Sequence, residues 1–197
     1  MILESLKSRT EKLHREVEGE NLAKYIIDHS ITKSQYIHLL VTNYLAYNTI
    51  ESTVKHKSDL LPDTLLPFAD MVKSNALHAD LLQFDIHIDK HSFLNSIAVH
   101  NYPQLVGMMY VSEGSMMGGM LIARHLKTCS NLDDSLDHKF FNGQTKDILN
   151  RWKAFTTTVN TVQFSEEEIE EAVITANATF KLFGDVFKAE EVFAYNS

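Results

Sequence analysis

Cysteine, proline and glycine are all scarce in this chain, and each scarcity closes off a class of explanation. The single cysteine, Cys129, cannot form an internal disulfide and suits a reducing compartment. Three prolines and seven glycines leave 197 residues with little punctuation. No apolar run approaches the roughly 20 residues that a bilayer span needs. The opening M-I-L-E-S-L-K-S-R-T-E-K is too charged for a signal peptide and carries acids that a transit peptide avoids, so a cytoplasmic location is expected. A net charge of -8 argues against general binding to nucleic acid or to a membrane surface. There is no internal repeat, low-complexity linker, phosphate loop, serine-nucleophile elbow, or flavin or nicotinamide motif.

What is present is ordinary in amount and helical in pattern. Hydrophobic residues make up 44% and charged residues 22%, as in soluble globular proteins. The length suits one domain, residues 1–197, with a core large enough to stand alone. Leu3, Leu6, Leu13 and Val17 mark an amphipathic first helix. A short second helix is expected over 21–29. Thr32 with Gln35 reads as a capping box opening a long third helix, and Ser165 with Glu168 as another opening the last one. A helix is expected to start near Pro67, another to run over 74–84, and a long one to begin near Pro103. N-G-Q at 142–144 reads as a turn. No segment alternates as a strand would, so the expected fold is all-α, with about seven to nine helices.

Glycine, scarce elsewhere, is concentrated in one place. Residues 110–126 read Y-V-S-E-G-S-M-M-G-G-M-L-I-A-R-H-L, with Gly114, Gly118 and Gly119 inside a helical pattern. Each costs about 1 kcal/mol relative to alanine, or roughly 3 kcal/mol together, against a domain stability of about 5–15 kcal/mol. Gly114 and Gly118 share a helical face, which something approaches too closely for a Cβ. Two readings stand: a neighbouring helix packed tightly, or a flat ligand lying on exposed backbone.

Few residues offer chemistry. His14, in T-E-K-L-H-R-E-V-E, lies at the edge of the apolar stripe, with Glu18 four residues on along the same face. One ring nitrogen of such a histidine can bind a metal while the other donates to the carboxylate; a plain boundary histidine has the same pattern. His87 and His91 have metal-compatible spacing if helical, but a solvated face explains them as well. Cys129 follows a helix, with no histidine partner identifiable from the sequence. The run S-E-E-E-I-E-E places negative charge where a helix N-terminus favours it.

The pattern Thr10, His14, Glu18, the segment E-G-S-M-M-G-G, the late W-K-A-F and the A-T-F-K-L-F of the last helix occur in this order over nearly the whole chain. Together they resemble the heme oxygenases, especially the bacterial biliverdin-producing branch. The resemblance implies a single-domain helical bundle that opens heme with oxygen to biliverdin, carbon monoxide and ferrous iron, heme being substrate and cofactor at once. It implies that His14 binds the iron axially and Glu18 orients it. Gly114, Ser115, Gly118 and Gly119 would form the distal wall on a kinked helix. Met116 and Met117 would pack on the macrocycle or fill core. Lys7 matches a basic position for a heme propionate, with Arg151 and Lys153 as substitutes, because T-T-T at 156–158 stands where relatives carry the basic residue. Electrons would come from a separate reductase or ferredoxin. Many relatives have Asp where Ser115 stands, so proton delivery would run through Ser115, backbone and water. A non-catalytic heme binder, and a thiaminase-like or di-iron enzyme on the same architecture, are the alternatives.

Overall fold

A computed structural model describes residues 1–89, 94, 97–133, 135–142 and 145–189. Among these residues it is all-α, with seven α-helices and two short 3₁₀ turns. The α-helices are α1 (Ile2–Glu20), α2 (Ala23–Ile27), α3 (Lys33–His56), α4 (Val72–Leu82), α5 (Tyr102–Leu126), α6 (Thr145–Asn160) and α7 (Glu166–Phe187).

The helix starts follow local chemistry. At α3 the Gln35 amide donates to Thr32 Oγ1 at 3.2 Å, and the Thr32 amide donates to Gln35 Oε1 at 2.9 Å. Ser165 and Glu168 repeat the exchange at α7, at 3.2 and 2.7 Å. Asn101 caps α5 by accepting from the Gln104 amide at 3.1 Å.

Two expected boundaries differ. Pro67 opens only a 3₁₀ turn, Leu66–Phe68, and the helix proper begins at Val72. Phe68 is held there by its ring contact with Phe155 and by the Arg151 guanidinium over its face. After α4, Asp85 takes a positive φ of 60° and the Ile86 amide returns to the Leu81 carbonyl at 3.2 Å. This left-handed cap stops the helix, so His87 is exposed and non-helical. His91 itself, and Gly143 and Gln144 of the expected turn, lie outside the described residues.

Helix α3 is the central post, buried on nearly every side from Leu39 to Glu51. Helix α7 packs against α1, α3 and α5, whereas α1 and α5 make no comparable contact with each other. The two therefore lean on a shared backing helix. By length and composition α5 is long and apolar enough to cross a bilayer, at a mean hydropathy of 1.2, which corrects the expectation that no segment approaches that size. Its first half is core: Leu105–Met109 and Val111–Glu113 are buried, and buried Glu113 is ion-paired. From Gly114 the side chains are mostly partly exposed until Leu126, which is buried again, and the helix is unbroken throughout, with no positive-φ glycine.

Candidate active site

Helix α1 buries Ile2, Leu6, Thr10 and Val17. Its approach to α7 is close, since a β-carbon on Gly184 would lie 3.3 Å from Val17 Cγ2. That packing leaves His14 on the rim. Its ring rests against Phe180 of α7 with centroids 5.1 Å apart, and its side chain remains 47% exposed. Nε2 lies 3.3 Å from a carboxylate oxygen of Glu18. A carboxylate beside one ring nitrogen favours a proton there and leaves the other nitrogen's lone pair for a metal.

The glycines of α5 divide into two kinds. Gly107 is the packing glycine: a β-carbon there would lie 2.0 Å from the Ala172 carbonyl oxygen of α7. The cluster noted in the sequence is different. Among the described residues, a β-carbon on Gly118 would meet nothing within 4 Å, and one on Gly119 would only graze Phe141 at 4.0 Å. One on Gly114 would touch the Trp152 ring at 3.5 Å, an ordinary contact. Close helix packing therefore does not account for Gly118. Around it the surface is apolar: Leu121, one turn on, is 50% exposed and Met117 is half-buried. Met116 packs against the core. An open glycine face edged by apolar side chains accepts a flat apolar body.

Ser115 makes two hydrogen bonds. Its hydroxyl donates to the Ser112 carbonyl at 2.8 Å, and its Oγ lies 2.6 Å from Tyr47 Oη of α3. A serine has one proton, so Tyr47 donates to Ser115, and Ser115 donates to the backbone. Tyr47 is buried between the rings of Phe140 and Phe183. Burial, together with the charges of Glu51 and Glu113, pushes its phenol well above the ordinary range despite the Ser115 bond.

The basic residues separate. Lys7 is exposed two turns before His14 and makes no ion pair among the described residues, and Lys153 is likewise exposed and unpaired on α6. Arg151, half-buried, binds Glu113 and Asp70 at 2.7 and 2.8 Å, so its guanidinium is engaged rather than free to take a propionate. Thr156, in the T-T-T stretch, returns its hydroxyl to the Trp152 carbonyl at 3.0 Å.

Cys129 is buried, and its Sγ approaches the Ile26 carbonyl at 3.5 Å and His29 Nδ1 at 3.9 Å. A histidine neighbour thus exists, brought by a turn the sequence did not link to Cys129. Burial pushes the thiol up, away from thiolate. Cys129 lines a cleft shared with Leu132, His138 and Phe141, which contains none of the residues His14, Gly114 or Gly118. No group of three or more His, Cys, Asp or Glu among the described residues is arranged to hold a metal ion.

Sequence reading alone assigned no role to Tyr47, Glu113 or Trp152. Glu113 lies within the quoted glycine segment, but its partners are on other helices. Nothing local marks Tyr47 as the neighbour of a serine 68 residues away.

Known proteins match this chain over nearly its whole length. The heme oxygenase family profile matches residues 1–189. A heme oxygenase of Porphyra purpurea is 23% identical over 197 residues, spanning 93% of this chain and 84% of that protein. The NO- and CO-bound heme oxygenase of Neisseria meningitidis superposes with a TM-score of 0.74 at 18% identity, over 100% of this chain and 95% of the other. The heme oxygenase of Leptospira interrogans gives 0.72 at 17% identity, over 94% and 98%. At these identities the structural likeness establishes the fold.

Proposed function

The chain belongs to the heme oxygenase family, and from that membership we propose that it opens heme with oxygen to biliverdin, carbon monoxide and ferrous iron. The observation that carries the reading is the pairing of two surfaces across α7. One is a rim histidine beside a carboxylate on α1; the other is a stretch of α5 where a β-carbon at Gly118 would meet no described residue within 4 Å.

Bound heme supplies a redox-active iron and is itself the carbon framework that is cut. His14 is the residue to hold the iron, with a neutral imidazole nitrogen. Glu18 orients the ring. Because His14 Nε2 faces Glu18 here, Nδ1 would be the nitrogen available to the iron unless the ring were turned over. Met117 and Leu121 offer apolar contact to the macrocycle, and Gly118 leaves room for its plane. Lys7 is the favoured propionate partner and Lys153 the second. Electrons come from a separate reductase or ferredoxin. A free thiol at Cys129 suits a reducing compartment such as the cytoplasm.

On the distal side the chain's own work is to hold a proton. Rotating the Ser115 hydroxyl away from the Ser112 carbonyl presents a proton to the open face. Tyr47 Oη–H then supports Ser115 Oγ through the bond already formed. Backbone return and distal donation therefore use the same hydroxyl in two orientations.

The test is titration of the purified chain with hemin, then reduction by ascorbate or a reductase in air, with the products identified. Loss of the Soret band with formation of biliverdin is expected. A Soret band that persists through reduction and reoxidation would make the chain a heme binder instead. The thiaminase-like alternative needs a reactive pocket thiol, which burial of Cys129 disfavours.

A further inference from the structure

Three consecutive residues of α5 meet three different helices. Gly114 lies against the Trp152 ring of α6, and Ser115 bonds to Tyr47 of α3. Glu113, only 4% exposed, points into the bundle. Its carboxylate accepts from Lys73 Nζ of α4 at 2.7 Å, and from Arg151 Nε and Nη2 of α6 at 2.7 and 3.0 Å. Arg151 also donates to Asp70 at 2.8 and 3.3 Å. Lys73 Nζ lies 3.7 Å from Glu51 of α3. That second carboxylate accepts from the backbone amides of Lys73 and Ser74 at 3.0 and 2.9 Å, and from the Ser74 hydroxyl at 2.5 Å.

A buried charge network is a poor way to gain stability, because desolvation consumes most of the attraction and apolar replacements often do as well. What a bidentate guanidinium–carboxylate clamp adds is geometric definition. Here the clamp grips the last residue of the long buried run of α5, immediately before the turn where its side chains become partly exposed. Beyond that point no side chain at Gly118 can hold the helix in place.

We propose that Glu113 is a positioning residue for the distal wall: clamped by Arg151 and Lys73, it fixes the rotation and height of the α5 turn that carries Gly114 and Ser115. Through the Ser115–Tyr47 bond it sets the hydroxyl pair against the open face. This rests on the reading of α5 as the distal heme wall. The charged groups bearing on the hydroxyl pair are Glu51 and Glu113, with Lys73, Arg151 and Asp70 behind them. Arg151, a propionate candidate by sequence, acts on this reading from behind the wall.

The test uses the full chain loaded with hemin. Glu113→Gln should lower the melting temperature and move the pH midpoint of the ferric heme absorption spectrum by about half a unit or more, roughly threefold in the proton equilibrium. In a Ser115→Ala background the same substitution should move the midpoint less than half as far, because the hydroxyl pair that transmits it is gone. Arg151→Lys keeps the charge but loses the planar fork, and should shift the midpoint the same way with a smaller fall in melting temperature. If Glu113→Gln does not fold, Arg151→Lys decides alone. A lowered melting temperature with an unmoved midpoint, or an equal shift in the Ser115→Ala background, overturns the proposal and leaves Glu113 structural. Failure of the wild-type chain to bind hemin overturns the functional reading and this inference with it, whereas an unmoved midpoint with normal binding overturns only the inference.

Discussion

Replacing Gly118 should make the protein more stable and a worse heme binder. In a helix interior, alanine is favoured over glycine by about 0.5–1 kcal/mol. No described residue lies within 4 Å of a β-carbon at Gly118, so no clash with them offsets that gain. For a domain of this size 1 kcal/mol moves the melting temperature by about 2–4 °C, so the heme-free Gly118→Ala variant should melt roughly 1–4 °C higher. Gly107 is the internal control. Its β-carbon would lie 2.0 Å from a backbone carbonyl oxygen, which cannot rotate aside. Gly107→Ala should therefore lose about 1–3 kcal/mol through overpacking, and melt several degrees lower. Gly118→Leu places a branched side chain where the porphyrin plane is expected. Overpacking against the ligand of about 1–3 kcal/mol corresponds to a five- to 150-fold loss of heme affinity. Calorimetry of the heme-free proteins and hemin titration by absorbance measure the two effects separately. A lower melting temperature for Gly118→Ala would reveal a neighbour at that face. Wild-type hemin affinity for Gly118→Leu would show that the open face is not the heme wall.

His14→Ala should abolish biliverdin formation while leaving circular dichroism and melting temperature near wild type; a wild-type heme spectrum and bilin yield would remove His14 as the ligand. Glu18→Ala, which takes away only the orienting partner, should reduce turnover less than His14→Ala, a ranking that single-turnover assays can reverse. Ser115→Ala and Tyr47→Phe should each leave heme affinity nearly unchanged but slow bilin formation and release hydrogen peroxide; rates equal to wild type across pH would leave backbone and other waters as the proton source. Burial alone would raise the Glu113 carboxyl, but the Arg151 hydrogen bonds and the charges of Lys73 and Arg151 outweigh it and hold the group below its ordinary value of 4.5. Its depressed value means that its stability contribution is present above pH 4.5 and lost as pH falls through the folded value. The denaturation free-energy difference between wild type and Glu113→Gln should accordingly be largest near neutrality and shrink below pH 4.5, and a difference that grows on acidification would refute the sign.

What the sequence settled by itself is what neighbours along the chain decide. Both capping boxes are exchanges between residues three apart, and they form as expected at Thr32 and Ser165. His14 and Glu18 are one helical turn apart, so their approach follows from helix geometry alone. The all-α class follows from periodicity that no strand pattern interrupts. The tertiary structure decided everything that depends on which element folds over which face. Seven glycines look alike in the sequence, yet Gly107 is pressed onto a backbone carbonyl while Gly118 faces open space. Arg151 meets Glu113 across 38 residues of chain, and Lys73 meets it across 40, so a basic residue that could have faced a ligand is tied up in ion pairs. Tyr47 reads as one more residue of a buried helix until α5 brings Ser115 to its hydroxyl. The physical reason is range: backbone preference and capping act within a turn or two, whereas exposure, pairing and the room left for a ligand are set by helix packing between segments far apart in the chain.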